Sequence, residues 1–324
     1  MSTNISRQFP AFARKFFDST EDFTIIGTGE LGGKATGLAF MHDLLAHTPD
    51  LAQAQMTVSI PRLTVITTEY FEEFMAQNRL YDDVYADLPD YLLAHKFQQA
   101  ELPVMMLGDL RSLIEQVHTP LAIRSSSLLE DALHEPFAGI YETKMIPNNQ
   151  PSPDTRFQKL IEAIKFVYAS TFFKQARAYL HATQHALDDE KMAVIIQEVV
   201  GKRHQDRFYP NISGVARSYN FYPTGRATPE SGIVSLALGL GKTIVDGGNA
   251  WFYSPAYPKV FPPHATPRDL LKQTQLQFWA VNMGPPPEYD PTRETEYLVQ
   301  SHISSAERDG TLAWVASTYD PHSD

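Results

Sequence analysis

Short β-branched or aromatic runs alternate with segments of helical periodicity along most of this chain, separated by glycine or proline turns. Phe23 to Ile26 runs into Gly27-Thr28-Gly29, after which Leu38, Met41 and Leu45 fall at helical spacing. This reads as strand, glycine loop, helix. Val58 to Thr67 is strand-like around Pro61, and Thr68-Glu69 opens a helix whose Phe71, Phe74 and Met75 share a face. Leu107, Leu110, Leu113, Ile114 and Val117 mark another helix. Pro120 to Ser125 reads as a strand, and Phe137 to Ile146 as a glycine turn followed by one. The longest helical pattern runs from Leu160 through Phe172 towards Leu180, ended by Asp188-Asp189-Glu190. Met192 to Val200, Ile212 to Tyr219 and Ile233 to Leu238 read as strands, so the second half is richer in β structure.

No solenoid-type repeat or low-complexity tract interrupts this pattern, and 43% hydrophobic residues supply material for packed cores. A chain of 324 residues suggests about two domains. The expected divisions are 1–187, 188–260 and 261–324. In the last of these proline is dense and periodicity fades, which predicts connector rather than core.

With no cysteine, disulfides, thiolate metal sites, iron–sulfur clusters and Cys nucleophiles are excluded. The net charge, 27 − 38 = −11, argues against general nucleic-acid binding. The N-terminus lacks the continuous apolar segment of a secretory signal, and Ser231 to Gly241 is too short to span a bilayer. A cytoplasmic protein without membrane partners is expected.

Gly27-Thr28-Gly29-Glu30-Leu31-Gly32 satisfies G-x-G-x-x-G between a strand and a helix, so a dinucleotide fold and a plain helix-entry turn both stand as readings. The dinucleotide reading wants an acid closing the next strand, whereas Met56 to Pro61 ends in proline. Gly33-Lys34 and Gly241-Lys242-Thr243 each fall short of the phosphate-binding P-loop, yet glycine turns carrying lysine suit polyphosphate; solvated lysines are the plainer alternative. His181 and His185 stand one helical turn apart, but Ala182 replaces the glutamate a metalloprotease needs, which leaves a solvated helix face. Ser125 to Ser127 lack a nucleophile elbow and suit a helix cap.

The segment Leu121-Ala122-Ile123-Arg124-Ser125-Ser126-Ser127-Leu128-Leu129-Glu130-Asp131, followed by Phe137-Ala138-Gly139-Ile140-Tyr141-Glu142-Thr143, carries the chemistry of a triphosphate cradle. It offers an arginine fork at a strand end, hydroxyls behind it, and a glycine turn with threonine. These residues resemble the V-R-S-S-x-x-x-E-D and F-A-G-x-x-x-T signature of the nucleotide-binding domain of phosphoenolpyruvate synthase and pyruvate phosphate dikinase. Leu31 to Leu38 is similar to that family's first glycine motif, Val194 to Val200 to its adenine-side strand, and Ser213-Gly214-Val215 with Ala237 to Gly241 complete the order. The likeness spans about residues 23 to 250.

The resemblance implies an α+β chain of ATP-grasp fold, with two subdomains closing over ATP. It implies that Lys34 and Arg124 contact the phosphates, that Gly139 and Thr143 form a lid, and that Gln197, Glu198 and Val200 line the adenine pocket. Lys242 departs from the family, which has an acid after Gly-Leu-Gly. The resemblance further implies Mg2+, phosphorylation of a histidine on a swivelling domain with release of AMP and phosphate, and transfer to pyruvate or a related acceptor. None of the eleven histidines lies in a T-S-H-A motif, and His302 reads as solvated. Glu294-Thr295-Glu296 mimics the family's magnesium-binding acid pair, but no Gln-x-Arg strand follows it, so it reads as a solvated charge run. The expectation is the N-terminal part of a longer phosphotransferase, ending before the metal site is complete, with metal ligands unknown. A non-catalytic nucleotide-binding domain and a dinucleotide-dependent oxidoreductase remain as alternatives.

Overall fold

The computed structural model describes residues 9–14, 22–48, 56–129, 139–183, 185–260 and 266–316. Glu130, Asp131 and Phe137-Ala138 of the signature lie outside the described residues. The chain divides into two compact units, Met1–Val199 with Pro287–Tyr297, and Val200–Pro286 with Leu298–Asp324.

In the first unit the elements run β1 (Phe23–Ile26), α1 (Gly32–Ala46), β2 (Leu63–Ile66), α2 (Thr68–Gln77), α3 (Leu80–Tyr85), α4 (Asp90–Gln99) and α5 (Val104–Gln116). They continue as β3 (Leu121–Ser127), β4 (Thr143–Ile146), α6 (Pro153–Ser170), α7 (Lys174–Ala182) and β5 (Met192–Glu198). The sheet order is β1-β2-β5-β3-β4, parallel at β1/β2 and antiparallel elsewhere. Both faces are covered, which is why the strands read as nearly unbroken apolar runs. Phe23, Ile25, Leu63, Val65, Ala193 and Ile195 pack with Leu31, Ala35 and Ala39 at α1. The alternate residues Ile26, Ile66, Ile123, Val194 and Ile196 face an aromatic core that includes Phe71, Phe74, Phe97, Phe166, Tyr168 and Phe172. The long helical pattern breaks at residues 171–173, where Phe172 and Phe173 turn into this core.

The boundary expected at residue 187 falls at Val199 instead. Antiparallel pairing inserts β5 between β2 and β3, so this strand completes the first sheet rather than opening a second domain.

The second unit contains β6 (Lys202–His204), β7 (Arg207–Tyr209), β8 (Ser213–Arg217), β9 (Ile233–Ala237), α8 (Lys242–Val245), β10 (Trp251–Tyr253) and α9 (Pro267–Gln273). β11 (Gln277–Asn282), β12 (Leu298–His302) and α10 (Ile303–Arg308) complete it. Its two antiparallel sheets have the orders β10-β9-β8 and β12-β11-β7-β6. Tyr209, Leu238, Phe278, Ala280 and Ala306 form its core. Residues 261–324 are therefore not merely a connector, because β11 supplies the buried Phe278 and Ala280 and pairs with both β7 and β12. No helix among the described residues is long and apolar enough to cross a membrane.

Candidate functional site

The N-terminus of α1 is built against β3. Leu31 at the N-cap makes no side-chain capping bond. Ser126, fully buried in β3, acts as the cap instead, since its Oγ donates to the Leu31 carbonyl at 2.7 Å and accepts from the Ala35 N–H at 3.0 Å. These two groups would otherwise close the first helical turn. Gly32 makes this approach possible, since its φ is +73° and a Cβ there would lie 1.8 Å from the Ser126 carbonyl oxygen. Ser126 thus caps a helix distant in sequence, while Ser127 Oγ accepts from the Leu129 N–H two residues on at 3.0 Å.

Lys34 follows in the first turn of α1, and its Nζ donates to Ser125 Oγ at 3.1 Å. Arg124 is half-buried in β3 and lies opposite Ile195 of β5 and Thr143 of β4. Two residues beyond Ile195, Gln197 projects from the same face and accepts from an Arg124 guanidinium N–H at 3.0 Å, while its own amide donates to the Pro61 carbonyl at 3.3 Å. Arg124, Thr143 and Gln197 therefore share one sheet face, the face on which α1 packs. Arg124, expected at a strand end, is instead the middle residue of β3, because pairing with β5 continues through Ser127; only Lys34, the N-terminus of α1 and the Ser125 and Ser126 hydroxyls meet near the end of that strand. Cations, hydroxyls and a helix N-terminus are anion-binding chemistry.

The other expected site residues sit apart from this group. Gly139, with φ +76°, is an exposed turn residue before β4. Glu198 ends β5, where its carboxylate accepts from Thr119 Oγ1 at 2.7 Å and pairs with Arg62 at 3.5 Å. Val200 is exposed and begins the second unit. Lys242 opens α8 and pairs with Asp246 one turn later at 3.2 Å.

Several partnerships leave no mark in the sequence. Thr28 in the glycine loop donates both its N–H and its hydroxyl to the Glu69 carboxylate, at 2.7 and 2.6 Å. A side-chain anion thus occupies one amide of the glycine loop, and β2 ends at Ile66 with no acid. His185 lies beyond the end of α7 at Ala182, so the two histidines do not share one helix face. His302 is exposed, as expected, and its Nδ1 accepts from the Ser304 N–H at 3.2 Å, capping α10.

Glu294-Thr295-Glu296 is not a solvated charge run. Glu296 is 3% exposed, and its carboxylate pairs with the buried Lys144 at 2.5 Å. Among the described residues no group of three or more His, Asp or Glu side chains is placed to hold a metal ion. An acid neutralised by a buried ammonium does not fit the role of magnesium ligand.

The architecture is α+β, of ATP-grasp class, with a basic, hydroxyl-lined site on one sheet of the first unit. The family of the pyruvate phosphate dikinase AMP/ATP-binding domain matches residues 28–296, and the chain belongs to that family. No curated protein matches the chain.

Proposed function

We propose that this chain is the ATP-binding part of a phosphoenolpyruvate synthase-like phosphotransferase. It would deliver a phosphoryl group from ATP to a histidine on a swivelling domain, and so to pyruvate or a related acceptor. The observation that carries the reading is that Lys34 and the N-terminus of α1 meet Ser125 and Ser126 of β3, while Arg124 of the same strand lies on the sheet face on which α1 packs. Arg124 would grip phosphate oxygens with its planar fork and Lys34 would act as a point charge beside it. The Ala35 N–H is taken by Ser126 Oγ, and the N–H groups ahead of it in the first turn of α1 have no acceptor within their own helix and favour an anion. Gln197 would fix the arginine against the sheet, while Gln197, Glu198 and Val200 would border the adenine. Gly139 and Thr143 would form the lid. The two units would be the two ATP-grasp subdomains.

Calorimetric titration with ATP, AMP and NAD, with and without magnesium, tests this reading. ATP binding without NAD binding is the expected result; NAD binding alone would return the dinucleotide reading. The 324-residue chain, incubated alone with ATP, magnesium and pyruvate, is expected to yield neither phosphoenolpyruvate nor phosphohistidine. Its His302 serves as a helix cap, and in-line transfer needs a positioned nucleophile. Acid-labile phosphate on the chain would contradict this.

A second expectation concerns residues 134–143, of which 134–138 lie outside the described residues. A phosphate lid must open to admit its ligand, and Gly139 has no neighbour among the described residues within 4 Å of where a Cβ would stand. ATP should slow amide exchange there by about tenfold or more, an opening free energy of about 1.4 kcal/mol. Unchanged exchange at saturating ATP would show that the lid lies elsewhere.

A further inference from the structure

β4 projects Thr143 and Lys144 to opposite faces of its sheet, Thr143 with Arg124 and Lys144 towards α6. The Lys144 side chain is 4% exposed and that of Glu296 1%. Around the ammonium stand Glu296 Oε2 at 2.5 Å, the Arg293 carbonyl at 2.7 Å and the Asp290 carbonyl at 3.4 Å. The Phe166 ring lies below it, 4.7 Å from Nζ to the centroid. The second carboxylate oxygen, Glu296 Oε1, is buried and has no hydrogen-bond partner among the described residues.

A carboxylate and two backbone carbonyls are the oxygen ligands that hard cations take, and an aromatic face adds attraction for positive charge. The three oxygens belong to one short stretch, residues 290–296, and the filling charge comes from a strand far away in sequence. Burial pushes the Lys144 pKa down, and the Glu296 carboxylate opposes that. One carboxylate charge balances a monovalent ion. A magnesium ion would demand octahedral ligands at about 2.0–2.1 Å and gives up its water reluctantly.

We infer that Lys144 is a tethered cation. Its ammonium fills a cage formed by Glu296 and the carbonyls of Asp290 and Arg293, so Glu296 takes no exchangeable metal ion. Removing the ammonium converts the cage into a site for a free monovalent cation of ammonium or potassium size. Nothing in this depends on nucleotide binding, so the test uses the chain without nucleotide and stands or falls separately from the proposed function.

The experiment is thermal unfolding of the 324-residue chain, wild type and Lys144→Ala, in chloride salts of ammonium, potassium and choline at equal ionic strength. The wild type should melt alike in all three. Lys144→Ala should melt about 10 °C lower in choline and recover at least half of that loss in ammonium or potassium. In Lys144→Ala/Glu296→Gln the preference among cations should disappear, because the carboxylate that selects them is gone. Equal melting of Lys144→Ala in the three salts, or its failure to fold even in molar ammonium, would overturn the cage. Manganese binding by the wild type that Glu296→Gln abolishes would overturn it too, since that would place an exchangeable divalent ion at Glu296; equal manganese affinity in the two is the expected result.

Discussion

Gly32→Ala should remove most of the stability of the first unit, while Gly37→Ala, five residues further along the same helix, should cost nothing. At Gly32 the backbone is left-handed, φ +73°, which alone costs a residue with a Cβ about 1–2 kcal/mol. The added Cβ would also stand 1.8 Å from the carbonyl oxygen and 2.4 Å from the carbonyl carbon of Ser126, deep inside van der Waals contact. That neighbour cannot retreat, because Ser126 lies opposite Ala193 in the β3/β5 pairing and its hydroxyl bridges Leu31 and Ala35. Either α1 lifts from the sheet, exposing Ala35, Ala39 and the strand residues beneath them, or β3 gives up its pairing. Both routes cost more than about 4 kcal/mol, a large share of the stability of an ordinary domain. Gly37 has no atom of the described residues within 4 Å of its would-be Cβ, and alanine there raises helix propensity by about 0.5–1 kcal/mol. Urea unfolding followed by circular dichroism reads both variants. Similar midpoints for the two would refute the packing argument.

The parts of the fold legible in the sequence are those fixed by local pattern. Phe23 to Ile26 and Met192 to Ile196 carry β-branched or apolar residues at nearly every position, and the structure shows why: both faces of that sheet are covered. α3 and α4 are hidden in the sequence because Leu80, Val84, Leu93, Ala94 and Phe97, although buried at helical spacing, are embedded in charged residues around Pro89. β11 is hidden differently. Phe278 and Ala280 alternate inward as a half-buried strand requires, but the prolines on either side obscure a signal only six residues long. The place of β5 is a non-local fact, since no window of sequence states that residues 192–198 will pair on one edge with β2 and on the other with β3.

The candidate site divides along the same line. Lys34, Arg124 and Gln197 are readable from the order of motifs, because each carries its chemistry in its own residue type. Their partners are not, since a hydrogen bond between segments far apart leaves no local trace. Ser126 reads as the cap of a following helix and instead caps α1; Glu69 reads as the first turn of α2 and also closes the glycine loop. Lys144 and Glu296 are each ordinary in their windows, and only the return of residues 287–297 to the first unit makes them an ion pair.

Arg124→Ala should lower ATP affinity by about 10- to 100-fold, the equivalent of about 1.5–3 kcal/mol for charge-assisted hydrogen bonds to phosphate. Arg124→Lys should lose less, keeping the charge and giving up the planar fork. The contact with Gln197 Oε1 at 3.0 Å adds a second effect, because removing the arginine also deprives a buried amide of its donor. Three measurements separate the two. Adenosine, which has no phosphates, should bind wild type and Arg124→Ala equally if the guanidinium acts on phosphate, and unequally if the loss comes from a disturbed Gln197 on the adenine side. Gln197→Ala should weaken ATP less than Arg124→Ala does. The double variant should lose less than the sum of the single losses, since one residue holds the other in place. Unchanged ATP affinity in a folded Arg124→Ala chain would remove the arginine from the site, and an equal loss for adenosine and ATP would assign it to holding Gln197 rather than to gripping phosphate.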